Sequence, residues 1–238
     1  MTELLIEATG LTVEYGGVPA VEDVDLRLYS GEVLTLLGAN GAGKTTTLLA
    51  LLGILGHSAG SIRCMGIEAK PGRSAKLARA GVVLIPDDRG IFPDLLVEEH
   101  FRLAARHAPK SRKELVLEYF PALRDLQRRK AALLSGGEQQ MLGIAKSLML
   151  SPRVLIVDEM SLGLAPIIVQ QILPKIRDLA KEQNMGVLLV EQHAQLALAV
   201  SDRAIVLGRG RVVLEENAAV LLADQERLQS AYFGGEER

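Results

Sequence analysis

The sequence predicts a mixed α/β fold organised around a phosphate-binding loop, with a small antiparallel β layer near the amino terminus and an inserted helical segment. Three observations carry this expectation. Short apolar runs rich in β-branched residues recur between longer amphipathic stretches. One of them, residues 33–37 (VLTLL), leads at once into the glycine-rich GANGAGKTT and then into an apolar stretch at 48–52, the order strand, loop, helix. Residues 97–150 hold no convincing strand, so the alternation is interrupted once.

Residues 4–8, 11–15 and 24–28 are closely spaced, apolar and separated by turn residues, which predicts antiparallel strands in a β layer. Residues 82–85 (VVLI) read as a buried strand that stops at Pro86 and opens into the polar loop Asp87-Asp88-Arg89-Gly90. Residues 98–108, 113–120 and 137–150 have helical composition, broken by Pro109 and Pro121. Strands return at 154–157, 187–190, 204–207 and 212–215, alternating with a helix after Pro166 and a segment at 194–200. The expected organisation is an α/β core from 1–92 and 151–238, enclosing a helical subdomain at 93–150.

Composition narrows the function classes. A chain of 238 residues with 48% apolar and 24% charged residues is globular, neither disordered nor fibrous. Lys plus Arg total 27 against 29 Asp plus Glu, a net charge of −2, without the basic excess of a nucleic-acid binder. The single cysteine, Cys64, excludes an internal disulfide and a zinc site of several thiolates, and reads most simply as a small core residue in a reducing compartment. The longest apolar stretch, 48–56 (LLALLGILG), is far short of the ~20 residues that span a bilayer. The start MTELLIEATG has neither the basic region nor the apolar region of a signal peptide, so a cytoplasmic location is expected.

Gly38-Ala39-Asn40-Gly41-Ala42-Gly43-Lys44-Thr45 fits G-x-x-x-x-G-K-[ST] at every fixed position, between a strand and a helix as the motif requires. Phosphate oxygens need several donors converging on one point, and glycines let backbone N–H groups wrap them without Cβ clashes. The following helix adds the positive end of its dipole. Lys44 is expected at the β- and γ-phosphates, the Thr45 hydroxyl on Mg²⁺, and Thr46 at a further phosphate contact. Residues 154–159 (VLIVDE) form an apolar strand ending in two acids. Asp158 can stand beside the Mg²⁺ held by Thr45, and Glu159 can polarise the attacking water. Alone, the same pair also reads as an acidic helix cap.

Leu134-Ser135-Gly136-Gly137-Glu138-Gln139-Gln140, just ahead of the DE strand, resembles the signature motif of ABC-type ATPases. By itself it also fits a helix start with Ser135 as N-cap and Glu138 completing a capping box. The family order runs from near residue 4 to near residue 235. The resemblance implies a single ABC cassette that hydrolyses ATP with Mg²⁺ as a sandwich dimer. Ser135, Gly136 and Gly137 would then cap the γ-phosphate of ATP held by the other protomer, and Tyr15, in VEYGG, would stack on adenine. Tyr15 otherwise reads as an ordinary strand aromatic. Ser161-Leu162-Gly163-Leu164-Ala165-Pro166 resembles the loop that couples the two protomers.

Within the family, GANGAGKTT, IPDDRGIFP followed by VEEH, LSGGEQQML, SLGLAP, VEQHA and the carboxy-terminal AYFGG are similar to ATP-binding subunits of branched-chain amino-acid importers of the LivF type. This implies two membrane permease subunits, a second cassette of the LivG type or a second copy of the chain, and, indirectly, an external solute-binding protein. The cassette would sit peripherally on the inner face of the membrane, and no nucleic-acid partner is expected. Ile91, Phe92 and Leu95 are candidates for the permease-facing surface. Importers of urea or short amides, and soluble ABC ATPases outside transport, are the alternatives.

The sequence departs from the family pattern at four places. Asp87 stands where most members carry Gln and the LivF type Glu; it can still contact Mg²⁺ or water, and otherwise reads as a solvated acidic turn. After the 187–190 strand come Glu191, Gln192 and His193. Strand register puts Gln192 in the place of the switch histidine, with His193 one residue later. Met160 replaces the proline that usually follows the acidic pair, and the stretch between Phe92-Pro93 and Leu134 is short.

Overall fold

The computed structural model describes residues 2–104 and 110–233. The chain begins with the long antiparallel hairpin of β1 (Leu4–Tyr15) and β2 (Val18–Tyr29). Two separate strands were expected at 4–8 and 11–15. They are one strand, interrupted by a register shift between Ala8 and Leu11, where Gly10 takes a φ of 59°. The glycine that reads as a turn in sequence is therefore a bulge. Then follow β3 (Val33–Gly38), α1 (Lys44–Leu51), β4 (Ala59–Cys64), β5 (Ile67–Glu68), α2 (Ser74–Arg79) and β6 (Val82–Ile85).

The helical stretch holds α3 (Val97–Ala104), α4 (Lys110–Tyr119), α5 (Ala122–Asp125) and, after a single 3₁₀ turn, α6 (Gly136–Leu148). The end of the helix expected at 98–108, and Pro109, lie outside the described residues. The remainder is β7 (Val154–Asp158), α7 (Pro166–Glu182), β8 (Gly186–Glu191), α8 (Ala194–Leu198), β9 (Arg203–Gly208), β10 (Arg211–Asn217), α9 (Ala218–Ala223) and α10 (Gln225–Phe233). Gly234 and Gly235 of the AYFGG motif are likewise outside the description.

The first sheet has the order β2-β1-β4-β5 and is antiparallel; the second has the order β10-β9-β3-β8-β7-β6. In the second sheet β9, β3, β8, β7 and β6 run parallel, and β10 pairs antiparallel with β9 at the edge. Every residue of β3 and β8 is buried, as a parallel sheet covered on both faces requires. Alternate side chains serve the two faces. Val83, Ile85, Leu155, Val157, Val187 and Leu189 pack with Phe101, Leu142 and Ile176 from the helices and with Phe120 just after α4. Leu34, Leu36, Ile156, Leu188, Val190 and Ile205 pack with Leu48 and Leu51 of α1 and with Ile6, Leu26 and Ile62 of the antiparallel sheet.

Cys64 belongs to this second cluster, and burial pushes its thiol up to about 12. It is an inert core residue, as its context suggested.

The junction of the two edges of β1 and β4 depends on Gly60. Its φ is 84°, and a Cβ built there would lie 2.3 Å from the Gly10 carbonyl oxygen. Backbone blocks it rather than a side chain that could swing away. Gly60→Ala is expected to destabilise the protein by about 2 kcal/mol or more, read as a lower urea midpoint with an unchanged slope.

Candidate functional site

The carboxyl ends of three adjacent parallel strands supply the site. Leu37 pairs with Glu191, and Asp158 with Val190, so the loops leaving β3, β8 and β7 emerge at one level. Glu159 N–H donates to the Val190 carbonyl (2.8 Å), which ties the acid after β7 to the end of β8. This is the edge at which open parallel sheets place ligands.

The phosphate loop turns on glycines where backbone comes close. A Cβ on Gly38 would lie 2.7 Å from the Leu207 carbonyl oxygen; one on Gly43, at φ 102°, would lie 2.9 Å from that of Ala20. Gly210 N–H donates to the Ala42 carbonyl (3.0 Å), so the β9–β10 turn buttresses the loop from behind. Lys44 opens α1 and is only 4% exposed. Its Nζ donates to the carbonyls of Gly38 (2.9 Å) and Ala39 (3.2 Å) and lies 3.5 Å from Glu159 Oε1. The ammonium is thus held inside the loop with one carboxylate facing it. Thr45 is exposed and Thr46 half-buried.

A cleft of about 410 Å³ opens over this loop, lined by Asn40, Gly41, Gly43, Lys44, Thr45, Thr46 and Glu159 together with Pro19, Ala20 and Arg209. The first seven are sequence-predicted site residues brought together as expected. Gly38, Ala39 and Ala42 form the loop's inner turn. Pro19, Ala20 and Arg209 were missed. The Gly208-Arg209-Gly210 triplet marks a tight hairpin in sequence, but nothing in it shows that the hairpin tip reaches the loop.

The remaining predicted residues do not line the cleft. Tyr15 is 53% exposed at the end of β1, paired with Val18. Asp87 is exposed and accepts from the Asp88 N–H. Ser135 caps α6 in a full capping box: Glu138 N–H donates to Ser135 Oγ (3.3 Å), and Ser135 N–H to Glu138 Oε2 (2.7 Å). Gly136 and Gly137 pack against Leu164 and Ile168, where a Cβ on Gly137 would lie 2.8 Å from Ile168 Cγ2. Gln192 lines a separate cavity of about 310 Å³ with Leu198, Leu221, Leu228 and Tyr232. His193 turns to the loop after Glu159, its Nδ1 3.0 Å from Ser161 Oγ.

Arg89 is a further connection that the sequence does not reveal. It donates to Gln140 Oε1 (3.1 Å) and Gln139 Oε1 (2.6 Å), joining the Asp87 loop to α6.

A divalent cation fits this donor set. Asp158 Oδ1 is buried with no partner, and burial first, then the charges of Glu159 and Asp87, push the carboxyl up to about 6, while Lys44 opposes them. Excess negative charge around an orphaned oxygen suits Mg²⁺, which binds through one or two protein ligands plus phosphate oxygens. Among the described residues no cluster of three or more His, Cys, Asp or Glu could hold a metal by itself.

The chain matches a family model described as ABC transporter over residues 21–161. It is 42% identical to the high-affinity branched-chain amino acid transport ATP-binding protein BraG of Pseudomonas aeruginosa over 225 residues, 93% of this chain and 96% of that one. It is 32% identical to the probable branched-chain amino acid transport ATP-binding protein LivF of Archaeoglobus fulgidus, covering 97% and 99% of the two chains. The structure of CbiO1 from Clostridium perfringens, part of the ABC transporter complex CbiONQ, superposes with a TM-score of 0.84 at 25% identity, over 96% of this chain and 94% of that one.

The Asp158 carboxyl sets a pH dependence. Its pKa is raised in the folded state, so the stability it contributes is full below its unfolded value and is lost as pH rises through about 6. In nucleotide-free protein Asp158→Asn is expected to raise the thermal midpoint at pH 8 by a few degrees and to change it little near pH 4. Parallel unfolding scans at the two pH values check this.

Proposed function

The chain belongs to the ABC transporter family, and from that membership and the geometry of the cleft we propose that it is the ATP-hydrolysing subunit of an importer of branched-chain amino acids. The observation that carries the chemistry is Lys44, buried in the glycine loop, facing Glu159 across an open cleft. Nucleotide phosphates entering the cleft meet the N–H groups of the loop and the start of α1, and Lys44 exchanges its carbonyl and carboxylate partners for phosphate oxygens. Glu159 then accepts the proton of the water that attacks the γ-phosphate. Thr45 and Asp158 would hold Mg²⁺, with Asp87 near it. When bound, the ion neutralises charge that builds on the phosphate oxygens.

Tyr15, exposed beside the cleft wall, is assigned to the adenine ring, which it can meet face to face. Of the two residues after Glu191, the hydrogen bond to Ser161 favours His193 at the γ-phosphate, because Gln192 lines the cavity toward α9 and α10. Ser135, Gly136 and Gly137 are assigned to the nucleotide of a second cassette. This is supported by the place of the two glycines: Gly137 packs on Ile168 at the start of α7 and Gly136 on Leu164 near Arg89, not on the phosphate loop of their own chain. The second cassette is another copy or a LivG-like chain. We treat the core at 1–92 and 151–238 and the helical segment at 93–150 as the two units that such a dimer would use.

Among the described residues no helix is long and apolar enough to cross a membrane, and the transport role is assigned together with two membrane permease subunits. Phe92, 56% exposed, and Leu95, at a groove of about 430 Å³ shared with Leu103, are the surface assigned to them; Ile91 packs inward beneath it. This would place the chain peripherally on the inner face of the membrane, with the solute-binding protein reached only through the permease. The cargo assignment rests on the names of the relatives.

Glu159→Gln is expected to bind ATP but lose about 100-fold or more in hydrolysis, and to elute as a dimer in MgATP. Lys44→Ala is expected to lose nucleotide binding. A Glu159→Gln protein that stays monomeric at saturating MgATP sinks the composite-site assignment. Phe92→Ala should abolish solute uptake by the assembled transporter while the isolated subunit keeps its ATPase rate; uptake and ATPase assays on the same preparation distinguish this from a core defect.

A further inference from the structure

Glu191, at the end of β8, is 3% exposed, and the chemistry assigned above makes no use of it. A buried carboxylate needs donors. It receives both from one residue in the loop after Glu159: Ser161 N–H donates to Oε1 (3.0 Å) and the Ser161 hydroxyl to Oε2 (2.6 Å). Ser161 is itself buried, and its Oγ also lies 3.0 Å from His193 Nδ1.

A serine hydroxyl carries one hydrogen, and a carboxylate can only accept. The Ser161 hydrogen is therefore committed to Glu191. Toward His193 the same oxygen has only lone pairs to offer, so the hydrogen in that contact belongs to Nδ1. The order Glu, Ser, His is also the wrong one for a nucleophilic serine, whose proton must be directed at the imidazole.

We propose that Glu191, acting through the Ser161 hydroxyl, is a positioning residue that holds His193 as the Nδ1–H tautomer and leaves Nε2 an acceptor in the neutral ring. The consequence for hydrolysis rests on the reading of His193 as the residue at the γ-phosphate. Both ends of the relay are then fixed by one hydroxyl. The loop following Glu159 cannot shift without releasing the imidazole, and the imidazole cannot change tautomer without disturbing the loop.

An isosteric substitution inverts the relay. In Glu191→Gln the Ser161 N–H still requires an acceptor, which orients the amide carbonyl toward it and the amide NH₂ toward Oγ. That NH₂ donates to Oγ, the hydroxyl hydrogen rotates to Nδ1, and the neutral ring becomes the Nε2–H tautomer. Long-range ¹H–¹⁵N spectra of the nucleotide-free protein at pH about 8.5, where imidazole is neutral, read this directly. The His193 signals are assigned by their loss in His193→Asn.

The expected result is an Nδ1–H pattern in the native chain, an Nε2–H pattern in Glu191→Gln, and loss of the fixed Nδ1–H pattern in Ser161→Ala. An unchanged pattern in either variant that folds overturns the relay. In ATP hydrolysis Glu191→Gln is expected to lower kcat roughly tenfold with KM within about twofold. A changed tautomer with unchanged kcat would leave the relay standing and overturn the assignment of His193 to the γ-phosphate.

Discussion

The parallel register of β3, β8 and β7 is the constraint on which the site depends. With Leu37 opposite Glu191 and Asp158 opposite Val190, three loops of different chemistry leave the sheet at the same height. A one-residue slip would reverse which side chains face each layer, and the two apolar clusters forbid it. The Glu159 N–H to Val190 hydrogen bond continues the ladder past the last pair, so the backbone of Glu159 is placed by the sheet itself.

The surrounding structure reinforces this edge from behind and from the side. The β9–β10 turn braces the phosphate loop through Gly210 and Ala42, and Gly38 and Gly43 admit neighbouring backbone where a Cβ would collide. On the other flank Arg89 bonds two glutamines of α6, and Lys146 returns from α6 to the Gly90 carbonyl. The loop carrying Asp87 and the helix capped by Ser135 are therefore tied at both ends of their contact.

Much of this was legible in the sequence for identifiable reasons. Strands β3, β6, β7 and β8 are continuous apolar runs because both faces are buried, and such runs stand out from polar loops. The phosphate loop is local, so its six cleft residues could be named from spacing alone. The elements that escaped notice have weak local signals. β4 alternates one buried with one exposed residue only at Ile62 to Cys64, and β5 is two residues long. α9 and α10 are short and packed through Ala218, Leu221 and Leu228, with Ala231 and Tyr232 half-buried beside them. The contacts missed at the site, Arg89 to Gln139 and Gln140, Ser161 to Glu191, and the hairpin tip at Arg209, join residues 30 or more positions apart or depend on where a turn lands. At Ser135 the capping box accounts for the motif locally, and it leaves Ser135 and Gly136 exposed while Gly137 is buried.

Glu159 sits at a φ of 41°, in the left-handed region that residues with a Cβ normally avoid. The strain of such a residue is of order 1 kcal/mol and is met when the chain folds. Its side chain leaves the backbone in a direction that an extended or helical residue could not supply at this position. The backbone cost of directing this side chain is consequently borne before any nucleotide arrives, and what binding has left to exchange is the ion pair with Lys44.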